Sequence, residues 1–543
     1  MANLSQQKRE RMLALLQKIK EEHTDDDDML VALGEIENEL NSKKYGLVWE
    51  KHEEQVDRMM QDNIPVFTEV KEREIKATDE NSYNFLLEGD NLHSLKLLEK
   101  THAGKIDVIY IDPPYNTGNK NDFIYDDCRI DNADSFRHSK WCSFISRRLE
   151  IAKCLLSKKG LIFISIDDNE YANLKLLCDT IFGEHNFIAT CVWQKIHSTK
   201  NDAKYLSVNH DYILMFAKQI ENIHINLLER TEEMNARYKN PDNDPRGAWQ
   251  SGDLVANEVR LNGNYDVIGP TGIKFNVPEG KHWVYSETNM KELIADNRIW
   301  FGKNGTSFPR KKRFLSEVLS GRTPNTWWKN EEVGHNQEGA RDLKKILGVV
   351  ALNNPKPVRL IKRILQIGSQ QNSTVLDFFA GSGTTAHAVL ELNKEDGGNR
   401  KFILCTNNEN HICEEVTYER IKRVIHGYAD IEGIPANLKY FKTDFIPKDA
   451  DDVSEDLLSH IKEMVELENG ITLDNKHYLI VLSDKQADEL AKNWSDYEDV
   501  KAIYVSRNVL FTSEQNELFS NTEIHIIPDY YFEYELKEVG ETW

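Results

Sequence analysis

The run Ile106-Asp107-Val108-Ile109-Tyr110-Ile111 has the length and β-branched content of a buried parallel strand, and it stops abruptly on Asp112-Pro113-Pro114-Tyr115. Two successive prolines carry no N–H and cannot continue a sheet ladder, so the chain must leave the sheet there. The carboxylate of Asp112, the carbonyl of Pro113 and the ring of Tyr115 are therefore expected on a rigid turn, stiffened by Pro114, at the carboxyl end of a strand, where open α/β sheets bind ligands. Two acceptor oxygens beside a flat apolar ring suit a planar substrate bearing an amino group, such as a nucleobase. An ordinary strand-terminating turn is the competing reading of the tetrad taken alone.

A second stretch points the same way. The stretch from Thr374 to Ala388 reads as a strand that runs into a Gly-x-Gly turn, Phe379-Ala380-Gly381-Ser382-Gly383, and then into a helix. Glycines let the backbone approach a ligand closely, and the N–H groups of the helix start point at it. A nucleotide-type ligand would lie over Gly381 and Gly383, with an acid near Glu409, just after the strand Lys401–Thr406, in reach of ribose hydroxyls. No Gly-x-x-x-x-Gly-Lys-Ser/Thr pattern is present, which argues against nucleoside triphosphate hydrolysis.

Around these stretches the periodicity predicts a strand at Asn84–Glu88 entering Gly89-Asp90-Asn91-Leu92, then a helix carrying Leu92, Leu95, Leu97 and Leu98 back to the strand at 106–111, which would set Asp90 near Asp112. A Gly/Asn-rich loop, 116–121, follows the tetrad. Next come a helix around Trp141–Leu156, a strand Gly160–Ile166 ending in Asp167 and Asp168, a helix Tyr171–Phe182, and strand-like runs at Phe187–Trp193 and Tyr212–Phe216. Between 219 and 345 the periodicity is lost among prolines, glycines and tryptophans. This region holds the densest basic cluster, Arg310-Lys311-Lys312-Arg313, and residues 303–329 carry seven Lys and Arg against the single acid Glu317. Basic residues interleaved with aromatics suit a surface that grips a phosphate backbone, and a solvated basic loop is the alternative. The expected organisation is a helical segment 1–62, a first half-domain 63–218 with the Asp-Pro-Pro-Tyr turn, an insert 219–345, a second half-domain 346–440 with the glycine turn, and an acidic α/β domain 441–543.

The formal charge of −22 at first disfavours a polyanionic partner. Its distribution removes the objection. Residues 1–62 and 441–543 account for −6 and −15, leaving the middle of the chain near neutral and able to bear a basic face. Apolar residues at helical spacing, Met12, Leu15, Leu16 and Ile19 and then Leu33, Ile36 and Leu40, predict two amino-terminal helices around the acidic run Asp25–Asp28, read as a solvated, helix-capping loop and not as a metal site. The seven cysteines are scattered, without a Cys-x-x-Cys pair, and read as free thiols. Mean hydropathy is −0.59, and no apolar run reaches the ~20 residues that a membrane span needs, so a cytoplasmic protein without a membrane partner is expected.

Taken together, Asp112-Pro113-Pro114-Tyr115 and Phe379-Ala380-Gly381-Ser382-Gly383 resemble the two motifs of the amino-group DNA methyltransferases. Their order, with the insert between, is similar to the β class. Gly89-Asp90-Asn91-Leu92, Asn116-Thr117-Gly118, Lys356-Pro357 and Asn393 to Gly397 look like the modification subunits of type III restriction–modification systems. The resemblance covers residues 80–440. It implies a seven-stranded Rossmann-like α/β sheet with circularly permuted motifs, an S-adenosyl-L-methionine cofactor, and a target adenine flipped out of double-stranded DNA. It implies catalytic roles for Asp112, Pro113, Pro114 and Tyr115, cofactor contacts from Asp90, Lys356, Pro357, Asp377, Phe379, Gly381, Gly383 and Glu409, and no metal. Arg310 to Arg313 would meet DNA. A homodimer and a helicase–nuclease restriction subunit are the expected protein partners. Methylation of cytosine N4, or a non-catalytic specificity subunit, are the rival readings.

Overall fold

The computed structural model describes residues 4–24, 26–41, 49, 52–118, 136–198, 203–258, 260–318, 321–349, 352 and 354–540. Part of the expected loop 116–121 therefore lies outside the described residues. The chain divides into two units, residues 1–224 with 326–543, and Ile225–Asn325.

The larger unit is organised on a ten-stranded sheet. Its strands in chain order are β1 (Asn63–Glu69), β2 (Tyr83–Glu88), β3 (Ile106–Ile111), β4 (Leu156–Ile166), β5 (Phe187–Gln194), β6 (His210–Ala217), β7 (Trp327–Trp328), β8 (Thr374–Asp377), β9 (Lys401–Thr406) and β10 (Asn437–Pro447). Across the sheet the order is β1-β10-β2-β9-β8-β3-β4-β6-β5-β7. From β10 to β4 every pairing is parallel. β6 reverses direction between β4 and β5. Successive residues of β3 and β8 are almost all buried, so both faces of the sheet are covered. One group of covering helices is Asn91–His102, Arg137–Leu155 and Tyr171–Phe182; another contains Val358–Gly368 and Thr384–Asp396.

The chain leaves β3 toward β4 on one side and leaves β8 toward β9 on the other. Adjacent strands with opposite onward connections form a topological switch point, the usual ligand crevice of open α/β sheets. Here it lies between the carboxyl ends of β3 and β8, which pair through Val108 with Val375 and Ile109 with Leu376. This is a doubly wound, mainly parallel α/β architecture. The implied seven strands are β2-β9-β8-β3-β4-β6-β5, and β10, β1 and β7 extend them.

Several expectations are corrected. Residues 63–69, for which no element was predicted, form strand β1, antiparallel to β10 with Val66 and Phe67 buried; Pro65 is tolerated there because β1 is an edge strand. The insert does not run to 345. The chain rejoins the larger unit at Thr326, where β7 pairs with β5 and the Trp193 Nε1–H donates to the Gly334 carbonyl at 2.9 Å. A two-residue strand has no periodicity to read. The boundary at 440 falls inside β10. The acidic tail does fold into three parallel strands, Tyr478–Val481, Ala502–Ser506 and Glu523–Ile527, but it is not separate: Tyr504, Tyr531 and Phe532 share one apolar core with Val66 and Leu95, and Lys100 Nζ donates to Glu535 at 2.5 Å.

The amino-terminal helices Leu4–Glu22 and Asp27–Asn41 pair through buried Leu16 and Leu33 and an ion pair of 2.5 Å between Lys20 and Glu37. The Asp26 carboxylate caps the second by accepting the Met29 N–H at 3.0 Å, and Asp25 lies outside the described residues. Among the described residues, no helix is long and apolar enough to cross a membrane.

The smaller unit is a set of short antiparallel strands. Arg310–Phe314 pairs with Trp249–Gly252 on one side and Ile299–Trp300 on the other.

Candidate active site

A cavity of about 680 Å³ opens at the switch point. β3 delivers Asp112, Pro114 and Tyr115 to it, and β8 with its turn delivers Asp377, Phe379 and Gly381. Lys356 joins them from the segment before the helix Val358–Gly368. The cavity thus unites residues more than 240 positions apart in the sequence, because β3 and β8 are neighbours in the sheet.

The proline turn is held from several sides. The indole N–H of Trp141, fully buried, donates to the Pro114 carbonyl at 2.7 Å. Asn116 takes a left-handed conformation, φ 55°, and donates to the buried carboxylate of Glu170 at 2.5 Å. His138 and Asn173 hold the same carboxylate, at 2.7 and 2.8 Å. Both oxygens of Asp112 are engaged: the Tyr115 hydroxyl donates to Oδ1 at 2.9 Å and Lys356 Nζ to Oδ2 at 2.5 Å. The Lys356 ammonium stands 5.1 Å from the centre of the Tyr115 ring. Burial pushes the Tyr115 hydroxyl well above the usual phenol range, so it is a donor at neutral pH.

The glycine turn is equally constrained. Gly381 has φ +50° and Gly383 +73°. A Cβ built on Gly381 meets nothing closer than the Phe379 carbonyl at 3.8 Å, so this backbone faces open space in the cavity. Thr417 Oγ1 donates to the Gly381 carbonyl at 2.5 Å, and the buried guanidinium of Arg420 donates to the Ser382 and Thr384 hydroxyls at 3.1 and 2.8 Å. Asp377 accepts the Phe379 N–H at 3.0 Å and the Thr385 hydroxyl at 2.5 Å, while burial pushes its carboxyl up to about 7.

Two groups that the sequence reading missed, and one that it noted without assigning a role, complete the walls. Lys195 Nζ lies 2.5 Å from Asp211, whose carboxyl burial raises above the usual range. Asp211 opens β6, and because β6 is antiparallel its amino end lies at the ligand-binding edge; an acid at the start of a reversed strand was the available signal. Asp167, also raised by burial, was noted in the sequence as a strand-ending acid but given no role. The lining carries the five carboxyls of Asp112, Asp167, Asp168, Asp211 and Asp377 against the two ammonium groups of Lys195 and Lys356. Such a wall favours a cationic ligand and N–H donors.

Asp90, Pro113, Pro357, Gly383 and Glu409 are not among the residues that line this cavity. The expected proximity of Asp90 to Asp112 is corrected, because β9 and β8 stand between β2 and β3. Asp90 instead caps the helix Asn91–His102, accepting the Leu92 N–H at 2.7 Å, with Arg148 at 3.5 Å. Pro357 caps the helix Val358–Gly368, and Glu409 starts a short turn after β9. The Oδ1 of nearby Asn407 is buried without a hydrogen-bond partner among the described residues.

In the smaller unit the basic cluster is a strand whose side chains alternate. Arg310 and Arg313 are exposed and Lys311 is half-buried, with its ammonium 2.5 Å from the Tyr285 hydroxyl. Lys312 points inward. It is 0% exposed and bonded to both Asp242 and Asp244. Its expected place on a DNA-facing surface is thereby corrected: the sequence run suggested one basic face, and the period of two puts its members on both.

Fold and cavity define a doubly wound α/β protein with an acceptor-rich ligand site at its switch point. The N6_N4_Mtase family, described as DNA methylase, matches residues 106–419, and this chain belongs to that family. It is 36% identical over 393 residues to the type III restriction-modification enzyme StyLTI Mod subunit of Salmonella typhimurium, a match covering 67% of this chain and 59% of that protein. It is 30% identical to the EcoPI Mod subunit of Escherichia phage P1, covering 85% and 79% of the two chains. Type II methyltransferase M.KpnI of Klebsiella pneumoniae is 32% identical, over 62% of this chain and 84% of its own. The chain thus spans a little under three fifths of the StyLTI subunit and about four fifths of the EcoPI subunit.

Proposed function

We propose that this protein is a site-specific DNA methyltransferase that moves a methyl group from S-adenosyl-L-methionine to the exocyclic N6 of an adenine flipped out of double-stranded DNA, as the modification subunit of a type III restriction–modification system. The observation that carries this reading is the meeting of the Asp112 turn and the glycine turn on one cavity lined by five carboxyls and two ammonium groups.

The residues fit the cofactor. Gly381 presents backbone to open space at the cavity wall, where any side chain would intrude, and the net negative lining suits a sulfonium cation. A volume of about 680 Å³ is within the range of nucleotide-sized ligand sites. Phe379, Gly381 and Asp377 would hold it, with Gly383 shaping the turn, Lys356 and Pro357 beside its carboxylate, and Asp90 and Glu409 as the outlying contacts. When bound, S-adenosylmethionine supplies a methyl group already activated for transfer.

The chain's own residues act on the base. An adenine amine is a poor nucleophile because its lone pair is delocalised into the ring. Asp112 and the Pro113 carbonyl would accept its two N–H bonds and draw them out of the ring plane. For this to happen Lys356 must yield one oxygen of Asp112 to the amine, and the cofactor carboxylate is the natural second partner for its ammonium. Orientation of this kind can contribute about 7–11 kcal/mol to the lowering of a barrier. Tyr115 would stack on the flipped base, worth roughly 1–3 kcal/mol by the standard of other base platforms.

Incubating the protein with duplex DNA and S-adenosylmethionine, followed by nucleoside mass spectrometry, tests the assignment. N6-methyladenine is the expected product. N4-methylcytosine would overturn the base assignment, and cofactor binding without any methylated product would favour a non-catalytic specificity subunit. A homodimer, a helicase–nuclease restriction subunit and a cytoplasmic location complete the proposal.

Two substitutions follow. Tyr115→Phe keeps the ring but loses the hydrogen bond to Asp112, and partial activity is expected; Tyr115→Ala loses the ring as well and should lose most of it. Equal inactivity of both variants would shift the role from ring to hydroxyl. Gly381→Val places a β-branched side chain at φ +50° and into the cavity. Calorimetry should show cofactor binding abolished, and an unchanged dissociation constant would remove this turn from the site.

A further inference from the structure

We propose that Tyr205 and Leu206, on the returning arm of the connection between β5 and β6, enter the DNA stack beside the target base and prop open the gap left when that base flips out. This role rests on the methyltransferase reading, but its residues lie outside the two motifs that carry that reading.

The position follows from strand direction. β5 runs parallel to β3 and β4, because β6 is antiparallel to both β4 and β5. The β5–β6 connection therefore leaves the sheet at the same edge as the Asp112 and Asp377 turns. The ladder ends with Gln194 opposite His210 and is prolonged by the Lys195 and Ile196 N–H groups, which both donate to the Asn209 carbonyl, at 3.0 and 3.3 Å. Just beyond this point Ile196 on the outgoing side and Val208 on the returning side both line the cavity. Tyr205 and Leu206 stand two to three residues from Val208, at the rim of the space that would receive the base.

Their exposure is what calls for a partner. Tyr205 is 84% and Leu206 87% exposed, and Val208 at the rim is 48% exposed. A lone exposed apolar side chain needs no explanation, but an adjacent aromatic and aliphatic pair beside a ligand cavity presents a continuous contact surface to whatever enters that cavity. The Lys204 ammonium stands 5.2 Å from the centre of the Tyr205 ring, so the same segment carries a positive charge.

That chemistry matches one occupant, the step of duplex DNA that the target base vacates. Removing a base from the stack exposes the faces of its neighbours. Proteins that distort duplexes insert apolar wedges between base steps, and aromatic rings replace lost stacking. Tyr205 offers a flat ring for a base face, Leu206 fills the remaining space, and Lys204 is placed to meet a flanking phosphate. These residues would thereby act on the extrusion equilibrium and not on methyl transfer itself.

The test uses the full chain, S-adenosylmethionine, and duplexes carrying the target site found by mapping the methylated products. The double variant Tyr205→Ala/Leu206→Ala is compared with Tyr205→Trp and with wild type. Each acts on a matched duplex and on one in which the target adenine faces an abasic site, where extrusion costs less. The expected result is a loss of methylation rate on the matched duplex of roughly 5- to 150-fold, the equivalent of one lost stacking contact, with most of it restored by the abasic partner. Tyr205→Trp should retain activity on both, and cofactor affinity and thermal midpoint should stay at wild-type values. Equal rates for wild type and double variant on the matched duplex, or a deficit of the same size on both duplexes, would overturn the wedge and leave the methyltransferase reading standing. A wild type that methylates neither duplex would overturn both.

Discussion

Asp112→Ala should lower the single-turnover rate of DNA methylation by about 10²–10³-fold or more, the cost of losing a preorganised polar group from a reacting centre. Duplex affinity, measured by fluorescence anisotropy, should stay within a few fold, because the proposed partner of this carboxylate is an amine on the flipped base and not a phosphate. The structure sharpens the expectation. Asp112 binds Lys356 through one oxygen and Tyr115 through the other, so its removal leaves an ammonium near a cavity wall without that partner and frees the tyrosine hydroxyl.

Asp112→Asn separates these effects. The amide keeps the shape of the side chain and one acceptor oxygen but no charge, so it should retain more activity than alanine and still fall well below wild type. The double variant Asp112→Ala/Lys356→Met removes the stranded ammonium. If the loss in the single variant came from that stranded charge, the double variant would recover; the catalytic reading predicts that it stays inactive. Turnover of the single alanine variant within tenfold of wild type would remove Asp112 from the chemistry.

The Asp-Pro-Pro-Tyr turn was legible because its signal is local. A β-branched run followed by Asp-Pro-Pro-Tyr states both the strand and its end, and the glycine turn does the same for β8. Their meeting was not a local property: it depends on β8 entering the sheet beside β3, and spacing in sequence does not reveal neighbouring strands. The Asp90 expectation failed for this reason, since a strand–helix–strand unit was taken to join adjacent strands when two others intervene. Lys195 and Asp211 were missed because each stands just outside the apolar run that marked its strand. β7 escaped because two tryptophans cannot display a period. The resemblance implied the seven central strands, whereas the flanking strands β1 and β10 had to be learned from pairing.

The basic cluster shows the same limit most clearly, and it gives the second large effect. Lys312 is 0% exposed and bonded to Asp242 and Asp244 inside the smaller unit, so Lys312→Met should leave two carboxylates short of a cation and destabilise that unit by about 3–5 kcal/mol. Hydrogen exchange in peptides covering 242–252 and 310–314 should report this directly, as protection lost in the smaller unit while β3 and β8 keep theirs. The pH dependence has a definite sign. Arg246, with Lys312, holds the Asp244 carboxyl well below the ordinary carboxylate range, so the stability it contributes is fully present above the unfolded value near pH 4 and is lost as pH falls below it. In Lys312→Met the acid-side loss should be shallower, because the Arg246 guanidinium at 2.9 Å and the Asn297 amide at 3.3 Å remain to favour the ionised form without the second cation. Arg313→Glu should behave in the opposite way. Its side chain is exposed, so folding should be unchanged, while duplex binding should weaken for all sequences and the slope of log affinity against log salt should fall by about one unit per phosphate contact removed. If Lys312→Met left exchange protection intact and weakened DNA binding with an Arg313-like salt signature, the buried ion pair would be irrelevant and the whole cluster would be a phosphate-gripping face after all.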